Sequence, residues 1–216
     1  MSGISWLPSM FGQGFSLALV RDVPPHELLI KLGCAEDSVQ SLTLADAREL
    51  ELEDEDEGAV LSVGEEGQWS FALQSWGARI LEEGVIEQVS AGTELIALVS
   101  TATAPAFVYA RDGEEICGFD PGLPHVRSGT DPDRFLPQMA QAGLPTDGTP
   151  VEGDPVVAML RFAEAAFGLS LSQSSLMREE HLSGRVSWGS DCEVTDLAIL
   201  RPLTLPAADD PGTVTV

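Results

Sequence analysis

An α+β fold is predicted: a largely antiparallel sheet with helices packed on one face, plus C-terminal helices. Three observations predict it. Apolar strand patterns flank the turn formers Glu65-Glu66-Gly67 and again Arg111-Asp112-Gly113-Glu114, and short turns of this kind join antiparallel neighbours. Helical periodicity falls in blocks between and after the strands, not after each one, so regular βαβ alternation is absent. The composition, 44% hydrophobic and 21% charged over 216 residues, is that of a chain able to bury a sizeable core without staples.

The elements follow in order. Residues 15–20 are an apolar run that reads as a buried strand. Pro24 and Pro25 then open a helix, because the N–H that proline lacks would be unpaired in a first turn. That helix carries Leu28, Leu29 and Leu32 on one face and stops at Gly33. Thr43 is placed to cap a second helix through Leu44, Ala47 and Leu50, which gives way to the acidic run 53–57. Segments 59–63 and 69–76 form the first hairpin, and Leu81, Val85 and Val89 repeat every four residues on a helix weakened by Gly84 and stopped at Gly92. Three strands follow at 95–99, 107–110 and 116–119, the last two joined across Asp112-Gly113, the strongest turn signal in the chain.

After a loop rich in proline and glycine at 120–130, Asp131-Pro132 opens a helix through Phe135, Leu136 and Met139, with a bend expected at Pro137. Asp154-Pro155 caps the clearest helix, with Leu160, Ala163 and Phe167 inward and Gly168 at its end. A further helix is expected over 174–181, and short edge strands at 186–188 and 198–200. The domain reading is a single α+β unit over 15–180 with an internal linker at 143–153. A short extension at 181–205 and a flexible tail at 206–216 follow.

Charge narrows the partners. Thirty-five acidic residues against eleven basic ones give a formal net charge of −24, spread along the whole chain, and Lys31 is the sole lysine. Such a field repels phosphate backbones and anionic lipid, so direct nucleic-acid and membrane contacts are not expected, whereas a basic protein partner suits it. The ordinary service of acidity is solubility. Residues 1–14 and the short run after them lack the pattern of a secretory leader, and no apolar stretch has transmembrane length. Cys34, Cys117 and Cys192 are widely spaced and odd in number, which argues against a disulfide framework and for a reducing, cytoplasmic location.

No motif for catalysis, metal or cofactor stands out. The run 53–57 copies part of a calcium loop, but its twelfth position is Gly64, which supplies no carboxylate. Neither a Walker lysine, a Rossmann glycine set nor a GxSxG elbow is present. His26, at a helix start, and His181, at a helix end, have ordinary structural explanations. The binding candidates are His125, Arg127 and Asp131 in the 120–133 loop, together with Trp76. The internal alternative for Arg127 is a clamp onto Asp120 or Asp131. Trp69 and Trp76, seven apart on one expected strand, face opposite sides, one to the core and one as an interface anchor.

The stretch Ala18-Leu19-Val20-Arg21 with 25–33, and the stretches 89–93, 109–120, 127–133 and 157–176, resemble an uncharacterised actinobacterial family of unknown function. That resemblance implies one evolutionary unit over most of 15–180 and lends no catalytic residue, cofactor or substrate. The hairpin, tryptophans and meander also look loosely similar to α+β immunity proteins that neutralise bacterial toxins. The functional expectation is a non-enzymatic protein-binding module, an immunity- or antitoxin-like inhibitor docking a basic partner. The alternatives are a small-molecule-binding protein or motif-less enzyme, and a structural subunit of a larger assembly.

Overall fold

The apolar run that starts at Phe15 becomes the middle strand of a nine-stranded sheet in the computed structural model, which describes residues 3–53, 58–75, 77–102 and 105–186. In chain order the strands are β1 (Phe15–Arg21), β2 (Gln40–Leu42), β3 (Ala59–Glu66), β4 (Trp69–Gln74), β5 (Glu94–Ser100), β6 (Ala106–Arg111), β7 (Glu114–Phe119), β8 (Arg127–Ser128) and β9 (His181–Val186). They pair in the order β2-β9-β3-β4-β1-β5-β6-β7-β8, each with its neighbour antiparallel. The helices are α1 (Leu7–Met10), α2 (Pro25–Lys31), α3 (Leu44–Glu53), α4 (Val85–Ser90), α5 (Leu136–Gln141), α6 (Pro155–Phe167) and α7 (Gln173–Arg178). The chain thus adopts the expected α+β class with an antiparallel sheet, but its helices cover both faces and not one, because alternation along the strands makes both faces apolar.

Local chemistry accounts for most boundaries. Asp112 and Gly113 both take positive φ, 52° and 85°, which suits the two-residue turn between β6 and β7. Thr43 Oγ1 accepts from the Asp46 N–H at 3.2 Å at the start of α3, and Asp154 Oδ1 accepts from Val156 and Val157 at the start of α6. Gly168 ends α6 in the left-handed conformation. The Leu81–Val89 periodicity is divided: a 3-10 turn at Arg79–Leu81 precedes α4, and Gly84, at φ 76°, separates the two. Pro137 does not bend a helix, because α5 begins only at Leu136 and places the proline in its first turn.

Alternation along the strands sorts the core onto two faces. The aromatic face carries Phe15, Leu17, Leu19, Trp69, Phe71, Phe107, Tyr109 and Phe119, covered by α1, α5, α6 and α7. On the opposite, aliphatic face, Ala18, Val20, Ala72, Ala97, Val99, Val108 and Ala110 pack against Leu28 and Leu29 of α2 and Val85 and Val89 of α4. Topology decides this division. Strands β4 and β5 flank β1 and run parallel to each other, so the segment joining them crosses β1, and it does so over the aliphatic face. The chain from β8 to β9 returns from one side of the sheet nearly to the other, and its three helices lie on the aromatic face.

Segments on either side of residues 15–180 also join this core. Ile4, Trp6 and Leu7 are buried, and the Ser5 N–H donates to Glu164 Oε1 on α6 at 2.7 Å. Strand formation near 186 begins earlier than expected, at His181, and β9 is interior, paired to both β2 and β3. His181 therefore does not end a helix; α7 stops at Arg178, Glu179 is extended, and the imidazole is buried against the sheet. Residues 187–188, the expected strand at 198–200, the tail at 206–216, most of the acidic run and Trp76 lie outside the described residues.

Candidate functional site

Register brings one end of several strands together: the last residues of β1 and β3 and the first of β4, β5 and β9 share a rim. On this rim, between the tip of the β3–β4 hairpin and the α7–β9 junction, lies a cleft of about 360 Å³. Phe71, Leu171 and Leu176 supply apolar walls, and Glu65, Glu66, Glu179 and Glu180 supply carboxylates. Among the described residues, neither a lysine nor an arginine lines it. Glu180 accepts from Ser41 Oγ at 2.9 Å, which ties the β2 edge to the cleft.

His181 is the one imidazole in this lining, and its residue is only 9% exposed. Its Nε2 lies 3.1 Å from the Leu176 carbonyl oxygen; a carbonyl only accepts, so Nε2 carries the proton, and in the neutral ring Nδ1 is left as an acceptor. Phe71 meets the imidazole edge-on, with ring centroids 5.8 Å apart. The space beside Nδ1 exists because residue 64 is glycine. A Cβ there would stand 2.7 Å from the Phe71 ring and 3.3 Å from His181 Nδ1. The cleft is therefore lined by four glutamates and an imidazole beside apolar walls, an arrangement that suits a cation carried on an alkyl stem.

A second cleft, of about 340 Å³, continues along the rim and shares Glu66. Trp69 lines it together with Leu19, Leu169 and Ser170. The Trp69 ring is held under the Arg21 guanidinium, 4.6 Å from its centroid, and Arg21 is itself fixed by Glu94 and Gln68 at 2.8 and 2.7 Å.

The sequence model of the Family of unknown function (DUF6461) matches residues 4–188. The chain belongs to this family. No curated protein and no solved structure matches it. The DUF6461 match takes in α1 at one end and β9 at the other, the two segments through which the aromatic face is closed.

Of the site residues expected from the sequence of this DUF6461 member, Arg127, Asp131 and His125 sit elsewhere, and Trp76 lies outside the described residues. Arg127 Nη2 and Nε donate to Asp133 Oδ1 at 2.8 and 3.0 Å, and Nη1 donates to the Pro124 carbonyl at 2.9 Å. The clamp onto Asp120 or Asp131 is thus replaced by one onto Asp133. Asp131 instead faces Arg134 at 3.3 Å, while its own N–H donates to the Ile116 carbonyl. His125 is exposed, with its ring near Gly148. The structure brings Arg127 and Asp131 into one loop at the β7–β8 edge, apart from the acidic cleft. Trp69 proves to be the core tryptophan of its strand. Sequence reading treated Glu65 and Glu66 as turn residues and His181 as a helix end, because the partners that make them a site, Gly64, Phe71 and Leu176, come from three elements. Period-two alternation of His181 and Ser183 against Leu182 and Gly184 was the available signal.

Among the described residues, no group of three or more His, Cys, Asp or Glu side chains is placed to hold a metal ion, and no helix is long and apolar enough to cross a membrane.

Proposed function

We propose that this chain is a non-catalytic binding protein that docks a basic protein partner through the acidic cleft at the β3–β9 rim, in the manner of an immunity or antitoxin-like inhibitor. One observation carries the reading: four glutamates and an imidazole line an apolar-walled cleft to which, among the described residues, no lysine or arginine contributes. Neighbouring carboxylates repel one another, and an entering cation relieves that repulsion while its stem covers the floor. The net charge of −24 adds long-range attraction, so association is fast at low salt and weakens as salt screens it. The single lysine and the weight of Ala, Gly, Leu and Val suit a GC-rich actinobacterial source, and the cysteine usage suits the cytoplasm.

Calorimetric titration with a short arginine-containing peptide at low salt tests this. The expected result is saturable, salt-sensitive binding that Glu65→Gln with Glu179→Gln weakens at least about tenfold, since two charge-assisted contacts are removed. Absence of binding, or binding indifferent to that double substitution, overturns the proposal.

A further inference from the structure

A cleft of about 360 Å³ lies between α2 and the α4–β5 connection, where β1 ends and β5 begins. Its lining mixes both signs of charge: Arg21, Lys31 and Arg111 against Asp22, Glu27, Glu94 and Asp112. Three of the eleven basic residues thus meet at one place on a chain of net charge −24. One pair is closed internally, since Arg21 Nε donates to Glu94 Oε2 at 2.8 Å and Nη1 to Gln68 Oε1 at 2.7 Å. Among the described residues, the side chains of Lys31, Asp22 and Glu27 form no hydrogen bond and no ion pair. Arg111 Nη1 and Nε approach Glu94 and Asp112 only to 3.8 and 3.5 Å, too far for close hydrogen bonds. The walls, by contrast, are braced against one another. Thr93 Oγ1 donates to the Arg21 carbonyl at 2.6 Å, the Asp112 N–H to the Thr93 carbonyl at 3.1 Å, and the Gly113 N–H to Ser90 Oγ at 3.2 Å. Asp22 is kept at φ 53°, in the left-handed region that favours glycine, so the β1–α2 connection carries a carboxylate where glycine is less strained.

We propose that this cleft binds a small zwitterion, an amino acid in which a short alkyl spacer joins an ammonium to a carboxylate. The guanidinium of Arg111 takes the carboxylate and Asp22 takes the ammonium. Unpaired groups of both signs in one braced cleft are the complement of a ligand that itself carries both. The alternatives match it less well. A simple anion meets the carboxylates of Asp22, Glu27 and Asp112, and a simple cation meets Lys31 and Arg111. A bare metal ion lacks ligands, because among the described residues no three His, Cys, Asp or Glu side chains converge to hold one. Arg111 offers a planar fork of N–H donors that fits a carboxylate, and Lys31 adds a second positive charge to the same cleft. Val23 and Ala91 supply a small apolar wall for the spacer. The site shares no lining residue with the acidic cleft at the β3–β9 rim, so it stands or falls independently of the docking reading.

The ¹⁵N-labelled full chain is titrated with glycine, β-alanine and 4-aminobutanoate, which differ in the distance between their charges, and with acetate and ethylammonium as the separate halves. The amide resonances of Asp22, Thr93 and Asp112 report on the cleft. At least one zwitterion is expected to shift them saturably and to bind at least about tenfold more tightly than either half, since two charge-assisted contacts act together. Arg111→Gln, at a side chain 54% exposed, and Asp22→Asn, which keeps a residue tolerant of positive φ, are each expected to weaken that zwitterion at least about tenfold without unfolding the protein. Glu65→Gln with Glu179→Gln is expected to leave it unchanged. The proposal is overturned if no zwitterion moves these resonances, if acetate or ethylammonium binds as tightly, or if both single variants bind like the unsubstituted protein.

Discussion

The aromatic and aliphatic faces of the sheet are sealed in different ways. On the aliphatic face, Ala18, Ala72, Ala97 and Ala110 allow the short helices α2 and α4 to come close; α4 packs on β5, the strand that follows it, and on β6 and β7, while α2 packs on β3, β4 and β9. On the aromatic face, Phe107 packs with Phe119 and Phe162 at centroid distances of 4.8 and 5.0 Å, and Phe135 with Phe167 at 5.2 Å. Its cover comes from remote parts of the chain: the Trp6 indole donates to the Gly3 carbonyl and reaches the Leu171 carbonyl at 3.3 Å, 165 residues away. Small side chains suffice where short helices seat directly on the strands; large rings fill the wider gap beneath the cover of the aromatic face.

Removing a ring should hurt most. Phe162, fully buried at the centre of the aromatic cluster, is expected to destabilise the fold by about 3–5 kcal/mol on substitution by Ala in urea unfolding. If Phe162→Ala behaves like a surface change, the aromatic face is not the main support. The aliphatic face should fail in the opposite sense, by crowding. Ala97 is fully buried under that face, and Ala97→Leu should cost about 1–3 kcal/mol by pushing the covering helices outward; tolerance of leucine there would mean that those helices are not closely seated.

A smaller effect is expected at the loop that closes the β7 edge. Arg127→Ala removes the bonds to Asp133 and Pro124, and with Asp133 largely exposed the loss should be about 1 kcal/mol in the same assay. Loss of partner binding with stability retained would instead make this loop a recognition element. The smallest effect concerns the two thiols, one under each face. Burial pushes Cys34, on the aliphatic side, up to about 12 and Cys117, on the aromatic side, up to about 11, against an ordinary 9.0. The unfolded thiol ionises first, so the stability this provides is whole below about 9 and declines as pH rises from there towards 11 and 12. A modest fall in melting temperature between pH 8 and 9.5 is expected, and in a Cys192→Ser background neither thiol should react with a disulfide reagent at pH 8 until the protein unfolds. Rapid reaction of one thiol alone would identify the face that opens first.

Much of this architecture is legible in the sequence because its signals are local. Turn chemistry at Asp112-Gly113, caps at Thr43 and Asp154 and the stop at Gly168 involve residues a few positions apart, and each appears where it was read. The misreadings share a cause as well. Pro137 is compatible with a bend or with a first turn, and only the course of residues 131–135 selects the turn. His181 follows a helix directly, so charge logic assigned it to the helix end, whereas pairing with Leu42 draws it into the sheet. Arg127 had several acids within reach along the chain, and the fold of the loop chose Asp133.

The sequence by itself determined that this is an acidic α+β protein with an antiparallel sheet, because net charge is a sum and hairpins and caps are short-range. Only the tertiary structure decided which helices take which face, that β9 enters the interior of the sheet, and that Glu65, Glu66, Glu179 and His181 share a cleft. Those outcomes depend on contacts between segments more than a hundred residues apart, whose energies arise from the shape of the packed core and leave no periodic trace in either segment alone.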